Sequence, residues 1–397
     1  MIIFIVSQGP FPSPQISGLA RVSTDIAKSL IKDDQNEIYY FTFGYKENNK
    51  PIVTVPEVVN GITVIDSRLL LDYLVKFNPH ILITVGENWM FNDLLKVHDR
   101  FPYTNWIHYV PLDSCYTPQT DINEFIKLVD ILVVPTPNAQ KVYTDHGIPA
   151  INIPHSVNIK DFYRYEDDKR LVVAKKLGIN SNKFIVGYNG RFQERKNLLD
   201  LIFAWSKFIN IVGEDNVNLV MLTNPDDSEG DFNLIEVVNK LEISNSVLIS
   251  QGDDRITDNE LNDFYNTLDI YISTSLAEGF NLPVLEALST GVTPILTDNV
   301  PHVYLLSHLS EDIRSKFLIK SSKPFVTPVG TTWIKPDFND IVDRFIYAYH
   351  HKDVLKQLIT QNIEFARKHD INEIGQIWRN LTNNYLTISN EIFEELM

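Results

Sequence analysis

Short apolar runs alternate along the chain with longer stretches of helical periodicity. In the first half, residues 2–6, 38–43, 62–65, 81–85, 106–110 and 131–134 read as strands. Their near-continuous apolar character is that of parallel strands covered on both faces. Residues 18–31, 67–77, 89–99 and 137–146 carry helical patterns between them. The second half repeats the arrangement, with strands at 184–188, 217–222, 247–250, 270–274 and 292–296 and helices at 197–211, 232–241, 258–267 and 283–290. Strands alternating with helices predict doubly wound α/β structure. No repeat of 20–50 residues is present, so the expectation is two similar folds rather than a solenoid. The fold class is therefore α/β, with two doubly wound Rossmann-like domains facing a cleft at the carboxyl ends of both sheets, where such folds bind ligands. The junction falls within 153–170, where the polar stretch YRYEDDKR separates the last N-terminal strand from a new helix. It gives an N-terminal domain over 1–160, a C-terminal domain over 161–370, and a terminal helix over 371–397 that returns to the first domain.

Length supports this division, since 397 residues exceed the usual size of one core. The first apolar run, in MIIFIVSQGPFP, has no basic region before it and no small-residue cleavage site after it. It is too short for a signal peptide core or a membrane span, so a buried first strand and a cytoplasmic protein are expected. The lone Cys115 excludes an intramolecular disulfide framework and a multi-cysteine metal site. A net charge of −16 argues against nucleic acid as a partner. Residues 1–160 carry −4 of that charge and the remainder −12. An anionic ligand of the second half must therefore be held by a few well-placed donors. No basic amphipathic helix marks a membrane surface, although peripheral membrane association stays open.

Two segments carry the candidate chemistry. In STSLAEGFNLPVLEALSTGVTPI, residues 273–295, a strand ends near Thr274, a turn holds Glu278 and Gly279, and a helix starts near Pro283. Proline suits the first helical turn and Gly291 its far end. The amides of Phe280, Asn281 and Leu282 then lie at a helix N-terminus, which favours anionic or hydroxyl oxygens. Glu278 precedes the helix and Glu286 sits one turn inside it, placing two carboxylates to accept paired hydroxyls. Taken singly, Glu278 reads equally as a solvated loop acid and Glu286 as a complement to the helix dipole. In VGYNGRFQERKNLLDLIFAW, residues 186–205, a strand ends at Gly190 and Arg191 and Lys196 flank the loop before a helix. A guanidinium fork and an ammonium there suit a diphosphate. Glu194 and Arg195 could instead pair with neighbours.

Together these segments resemble the retaining glycosyltransferases of family 4, also called group 1, which have the GT-B fold. The resemblance is carried by residues 153–163, 186–201 and 273–296, and above all by E-x7-E with Gly-Phe and Leu-Pro between. It implies that Arg191 and Lys196 hold the donor diphosphate, Glu278 the transferred sugar and Glu286 the ribose. Gly279, Phe280, Asn281, Leu282, Gly190 and Gly18 would contact sugar or phosphate. His108, in WIHYVPLDS, resembles the histidine that faces the transferred sugar, with a bonded strand histidine as the alternative. Asp113 is an acceptor-side candidate. Where the family usually has Gly-Val-Asp this chain has Ser156-Val157-Asn158, and two adjacent glycines are replaced by Ser17-Gly18.

The implied reaction moves a sugar from a nucleoside-diphosphate sugar, GDP-mannose as first choice, to a glycan, lipid-linked or other hydroxyl acceptor with retained configuration. No cofactor and no metal are expected, and Asp226-Asp227 and Asp253-Asp254 read as loop acids. The alternatives are a nucleotide-sugar epimerase or sugar phosphorylase on the same fold, and a non-catalytic nucleotide-sugar-binding protein. A hydride-transfer enzyme is disfavoured because no GxGxxG follows the first strand.

Overall fold

In the computed structural model the apolar runs become the strands of two separate sheets. The structure describes the chain except residues 10–17, 44–45, 48–49, 52–55, 97, 116–121, 126, 252–255, 329 and 397. Its contacts divide into two units. The first holds Met1–Leu112, Pro118–Ser156 and His369–Met397, and the second holds Asp113–Thr117 and Val157–Lys368.

The first unit is built on β1 (Ile2–Gln8), β2 (Glu37–Phe43), β3 (Glu57–Val59), β4 (Ile62–Asp66), β5 (Ile81–Val85), β6 (Asn105–Tyr109), β7 (Ile131–Val134) and β8 (Ile151–Asn152). They form one sheet in the order β8-β7-β6-β5-β1-β2-β4-β3. Every neighbouring pair is parallel except β3 with β4. Ile3, Phe4 and Ile5 in central β1 have no exposed surface, as expected of a strand covered on both faces. Helices α1 (Gly18–Leu30), α2 (Leu70–Phe77) and α3 (Pro137–Asp145) follow the predicted periodicity. The predicted helix at 89–99 is instead a 3₁₀ turn over Asn88–Phe91, a single α-turn over Asn92–Leu95 and a second 3₁₀ turn over His98–Arg100. Asparagines favour local side-chain bonds over continued helix, and the Asn88 amide is committed to His108 rather than to solvent.

The second unit alternates α4 (Asp167–Lys176), β9 (Phe184–Asn189), α5 (Leu198–Val212), β10 (Val217–Thr223), α6 (Leu234–Lys240), β11 (Val247–Gln251), α7 (Asp258–Thr267), β12 (Ile270–Ser273), α8 (Leu282–Ser289) and β13 (Thr293–Thr297). After these come α9 (Val300–Leu305), α10 (Glu311–Phe317), β14 (Leu318–Ile319), α11 (Phe338–His350) and α12 (Lys352–Arg367). The sheet order is β11-β10-β9-β12-β13-β14, parallel throughout. A methyl group on Gly187 of β9 would lie 2.2 Å from Leu268, so glycine is required for β9 to lie this close to the start of β12. Trp205 and Phe208 of α5 pack on Phe345 of α11 with ring centroids 5.7 and 5.3 Å apart. The polar stretch at 163–170 is tied down rather than loose. The amides of Tyr163 and Tyr165 donate to Asn262 and Asn266 of α7, and α4 begins within the stretch.

The chain ends in α13 (Ile371–Leu396), which belongs to the first unit and lies on α1. Gly375 permits the contact, since a Cβ there would meet Ser29 Oγ at 2.4 Å. Arg379 closes it by donating to the Ser29 carbonyl at 3.0 Å. Among the described residues, no helix is long and apolar enough to cross a membrane.

Candidate active site

Adjacent parallel strands β9 and β12 end at Asn189 and Ser273, so the loops that follow them leave the sheet at the same edge. The first loop closes in a 3₁₀ turn over Glu194–Lys196, and left-handed Asn197 (φ 53°) turns the chain into α5. The second runs from Thr274 to Asn281. The two are laced together. Leu276 N–H donates to the Arg195 carbonyl at 2.8 Å, and the Thr274 hydroxyl lies 3.2 and 3.1 Å from the carbonyls of Lys196 and Asn197.

Glu278 sits at this junction, only 4% exposed. Its Oε1 accepts from Lys196 Nζ at 2.6 Å and from the Ser275 hydroxyl at 2.6 Å, and its Oε2 accepts from Arg195 Nη1 at 2.7 Å. Burial pushes this carboxyl upward, but Lys196 and Arg195 outweigh it and hold the group well below the usual carboxylate range. Burial and the neighbouring Arg195 pull the Lys196 ammonium down, partly offset by Glu278. Arg195 goes the other way. Burial opposes its charge, and Asp113 (3.8 Å from Nε) and Glu278 more than restore it.

Glu286 faces the sheet from α8, also buried, and accepts from the Tyr265 hydroxyl at 2.7 Å. Asn189, the last residue of β9, donates to that same hydroxyl at 3.0 Å and so joins Glu286 to the loop at Gly190. Burial and then Glu286 push the Tyr265 phenol far above its ordinary value, keeping it a donor. Between the glutamates, Gly279 and Phe280 are buried, and Asn281 caps α8 in a left-handed conformation (φ 84°, ψ 70°) ahead of Leu282. The Asn281 amide reaches Ser273 Oγ at 3.0 Å and His302 Nε2 at 2.9 Å. His302 Nδ1 lies 2.9 Å from the Thr297 carbonyl, so that nitrogen donates and Nε2 accepts from Asn281. Burial lowers His302 to about 4 and keeps the ring neutral.

Arg191 is placed differently from Lys196. Half-exposed, it pairs with Asp227 at 2.9 Å and Glu229 at 3.1 Å. Asp227 is thus an ion-pair partner rather than a solvated loop acid, while Asp253 and Asp254 lie outside the described residues. Gly190 follows β9, its N–H bonded to the Leu222 carbonyl. The structure therefore gathers Lys196, Glu278, Glu286 and the 279–282 turn in the second unit and holds Arg191 on a neighbouring acidic loop.

His108 and Gly18 belong to the first unit. His108 has no exposed surface and packs on Phe91 and Phe125. Its Nδ1 lies 2.8 Å from the Thr84 hydroxyl and its Nε2 3.0 Å from Asn88 Oδ1, and burial lowers it to about 3. This is the environment of a bonded core histidine. Gly18 is exposed at the first position of α1, and Ser17 lies outside the described residues. Ser156 donates to Asp25 at 2.9 Å and Asn158 to Asp161 at 2.5 Å, so both polar replacements in this turn serve local bonds.

Residues 170–324 match the family model for glycosyl transferases, group 1, a span that includes both the Lys196 and the Glu278–Glu286 segments. That segment of the chain is similar to the group 1 glycosyltransferases. A trehalose synthase of Thermococcus litoralis is 23% identical over 47% of this chain and 41% of that protein, so the likeness spans less than half of the curated relative. Sucrose-phosphate synthase from Thermosynechococcus elongatus superposes with a TM-score of 0.76 at 15% identity, covering 98% of this chain and 99% of that one. Anabaena Alr3699/HepE in complex with UDP-glucose gives 0.69 at 14% identity, covering 97% and 100%. These likenesses show the GT-B fold.

The sequence alone does not mark Arg195, Ser275 and Tyr265 as members of this cluster. Arg195 was visible only as one of two alternative loop charges. Ser275 lies three residues before Glu278, the reach of a local side-chain bond. Tyr265, on another helix, left no local signal.

Proposed function

We propose that this protein is a retaining, metal-independent glycosyltransferase that moves a sugar from a nucleoside-diphosphate donor to a hydroxyl acceptor. The observation that carries the reading is the ionised, buried Glu278 with Lys196 and Arg195 on it, at the shared carboxyl edge of β9 and β12 and beside the N-terminus of α8. A carboxylate held in this way orients sugar hydroxyls, while ammonium and guanidinium neutralise charge that develops on a departing diphosphate. Lys196 is in position for that task, and Arg191 joins it by exchanging Asp227 and Glu229 for donor phosphate. Glu286 takes the ribose hydroxyls, with Tyr265 fixing its orientation. The resemblance assigns His108 to the transferred sugar, while its ring is fully buried and bonded to Thr84 and Asn88. The donor phosphate itself takes the acceptor proton on the face it leaves, so no enzymic nucleophile is required.

GDP-mannose remains a candidate donor. UDP-glucose, with which Anabaena Alr3699/HepE of the same fold was crystallised, is the second candidate. The test is a panel of GDP-mannose, UDP-glucose and UDP-linked amino sugars, reading nucleoside diphosphate release and thermal stabilisation. A ligand at a hundredfold its dissociation constant adds about 2.7 kcal/mol of stability. Turnover that persists in a chelator, with the donor's anomeric configuration kept in the product by proton NMR, is the expected result. No release and no stabilisation with any donor would sink the reading.

A further inference from the structure

Glu278 has two oxygens with different partners. Oε1 receives Lys196 and Ser275, and Oε2 receives Arg195. If Lys196 turns to a diphosphate, Glu278 loses one of its two cations while 96% of its surface stays buried. An unpaired buried carboxylate is strongly disfavoured. Arg195 has the anchorage to prevent this. Its carbonyl accepts the Leu276 amide, its Nη1 also reaches the Ala277 carbonyl at 3.3 Å, and its Nε faces Asp113. None of these contacts involves Lys196. Arg191 does not take this place, because its guanidinium lies on Asp227 and Glu229 rather than on Glu278 and leaves them only for donor phosphate.

We propose that Arg195 is a positioning residue that fixes the Glu278 carboxylate through Oε2, leaving Lys196 able to exchange Oε1 for an arriving diphosphate. The inference rests on the glycosyltransferase reading above. Arg195 thereby acts on the reaction through Glu278 rather than by touching the donor.

The groups around Glu278 set the sign of the pH effect. They are Lys196 and Arg195, with Asp113 behind Arg195, His302 from α9, and the buried phenols Tyr188 of β9 and Tyr271 of β12. Removing the guanidinium raises the Glu278 carboxyl toward its ordinary value, so the acid limb of turnover moves to higher pH.

The experiment compares the wild-type chain with Arg195→Met, which keeps the apolar stem, and Arg195→Lys, which keeps the charge. Donor turnover is followed across pH, and UDP and GDP affinity is measured by calorimetry. Misplacing a reacting group by about 1 Å costs about a hundredfold in rate. The expected result for Arg195→Met is a kcat loss of that order, an acid limb at higher pH, unchanged nucleoside diphosphate affinity, and partial rescue by Arg195→Lys. Unchanged kcat and pH profile overturn the proposal, and so does weakened UDP or GDP affinity, which would make Arg195 a phosphate ligand. Failure of both variants to fold overturns it in favour of a structural role. A wild-type chain that neither binds nor turns over any donor overturns the glycosyltransferase reading itself, and this proposal with it.

Discussion

Three donors converge on Glu278, and the consequences of removing acceptor or donor are unequal. Glu278→Gln leaves Lys196 and Arg195 facing each other with side chains only 12% and 25% exposed. Breaking a buried pair in this sense costs about 3–5 kcal/mol. Lys196→Met leaves the carboxylate with Arg195 and Ser275, so its stability cost is smaller. Urea unfolding should therefore rank Glu278→Gln below Lys196→Met in stability. Turnover should fall in both, by one to three orders of magnitude for Lys196→Met at about 1.4 kcal/mol per factor of ten. Equal stability losses would mean that Arg195 does not compensate the carboxylate. Lys196→Met turnover matching the wild type at saturating donor would remove Lys196 from the chemistry.

At the scale of elements, the turn from β12 into α8 depends on one unusual backbone conformation. Asn281 at φ 84° is left-handed, and its amide satisfies buried His302 and Ser273. Asn281→Ala loses those bonds and strains the backbone, each at about 1–3 kcal/mol. Asn281→Gly loses the bonds alone, because glycine adopts this φ freely. Denaturant unfolding should place Gly between Asn and Ala, and an Ala variant as stable as Gly would refute the strain. The same element shows what could be read from sequence. The strand, the Pro283 start and the helix length fixed where Glu278 and Glu286 fall, because each follows from local spacing and capping. The cation loop was less legible. Which of Arg191, Arg195 and Lys196 turns inward depends on the 3₁₀ turn at Glu194–Lys196 and on left-handed Asn197, neither of which periodicity records. The Arg191 pair with Asp227 and Glu229 joins residues 36 and 38 positions apart, beyond any local pattern. His108 was ambiguous for a related reason, since its bonded state depends on Thr84 from the neighbouring strand and Asn88 from the segment after it.

For the molecule as a whole, buried histidines in both units set the response to acid. Burial lowers His108 and His155 in the first unit to about 3 and His302 in the second to about 4. Unfolded, each takes up a proton near pH 6.5. Between 6.5 and the native values the unfolded chain binds protons that the native chain refuses, so stability is full above 6.5 and falls as pH drops. The loss is about 1.4 kcal/mol per pH unit for each histidine. Glu278, held low in the native state, adds to it below the ordinary carboxylate range. Asp269 and Asp298, pushed up mainly by burial, act in the opposite direction in that lower range. The histidines therefore dominate between pH 6.5 and 5. Urea midpoints over that window should fall steadily, and His302→Gln should remove one proton's worth of slope from the second unit alone. His155→Gln should do the same for the first unit and leave the second unchanged. An unaltered slope in either variant would mean that the replaced histidine already titrates in the native state, and that its burial does not exclude the proton.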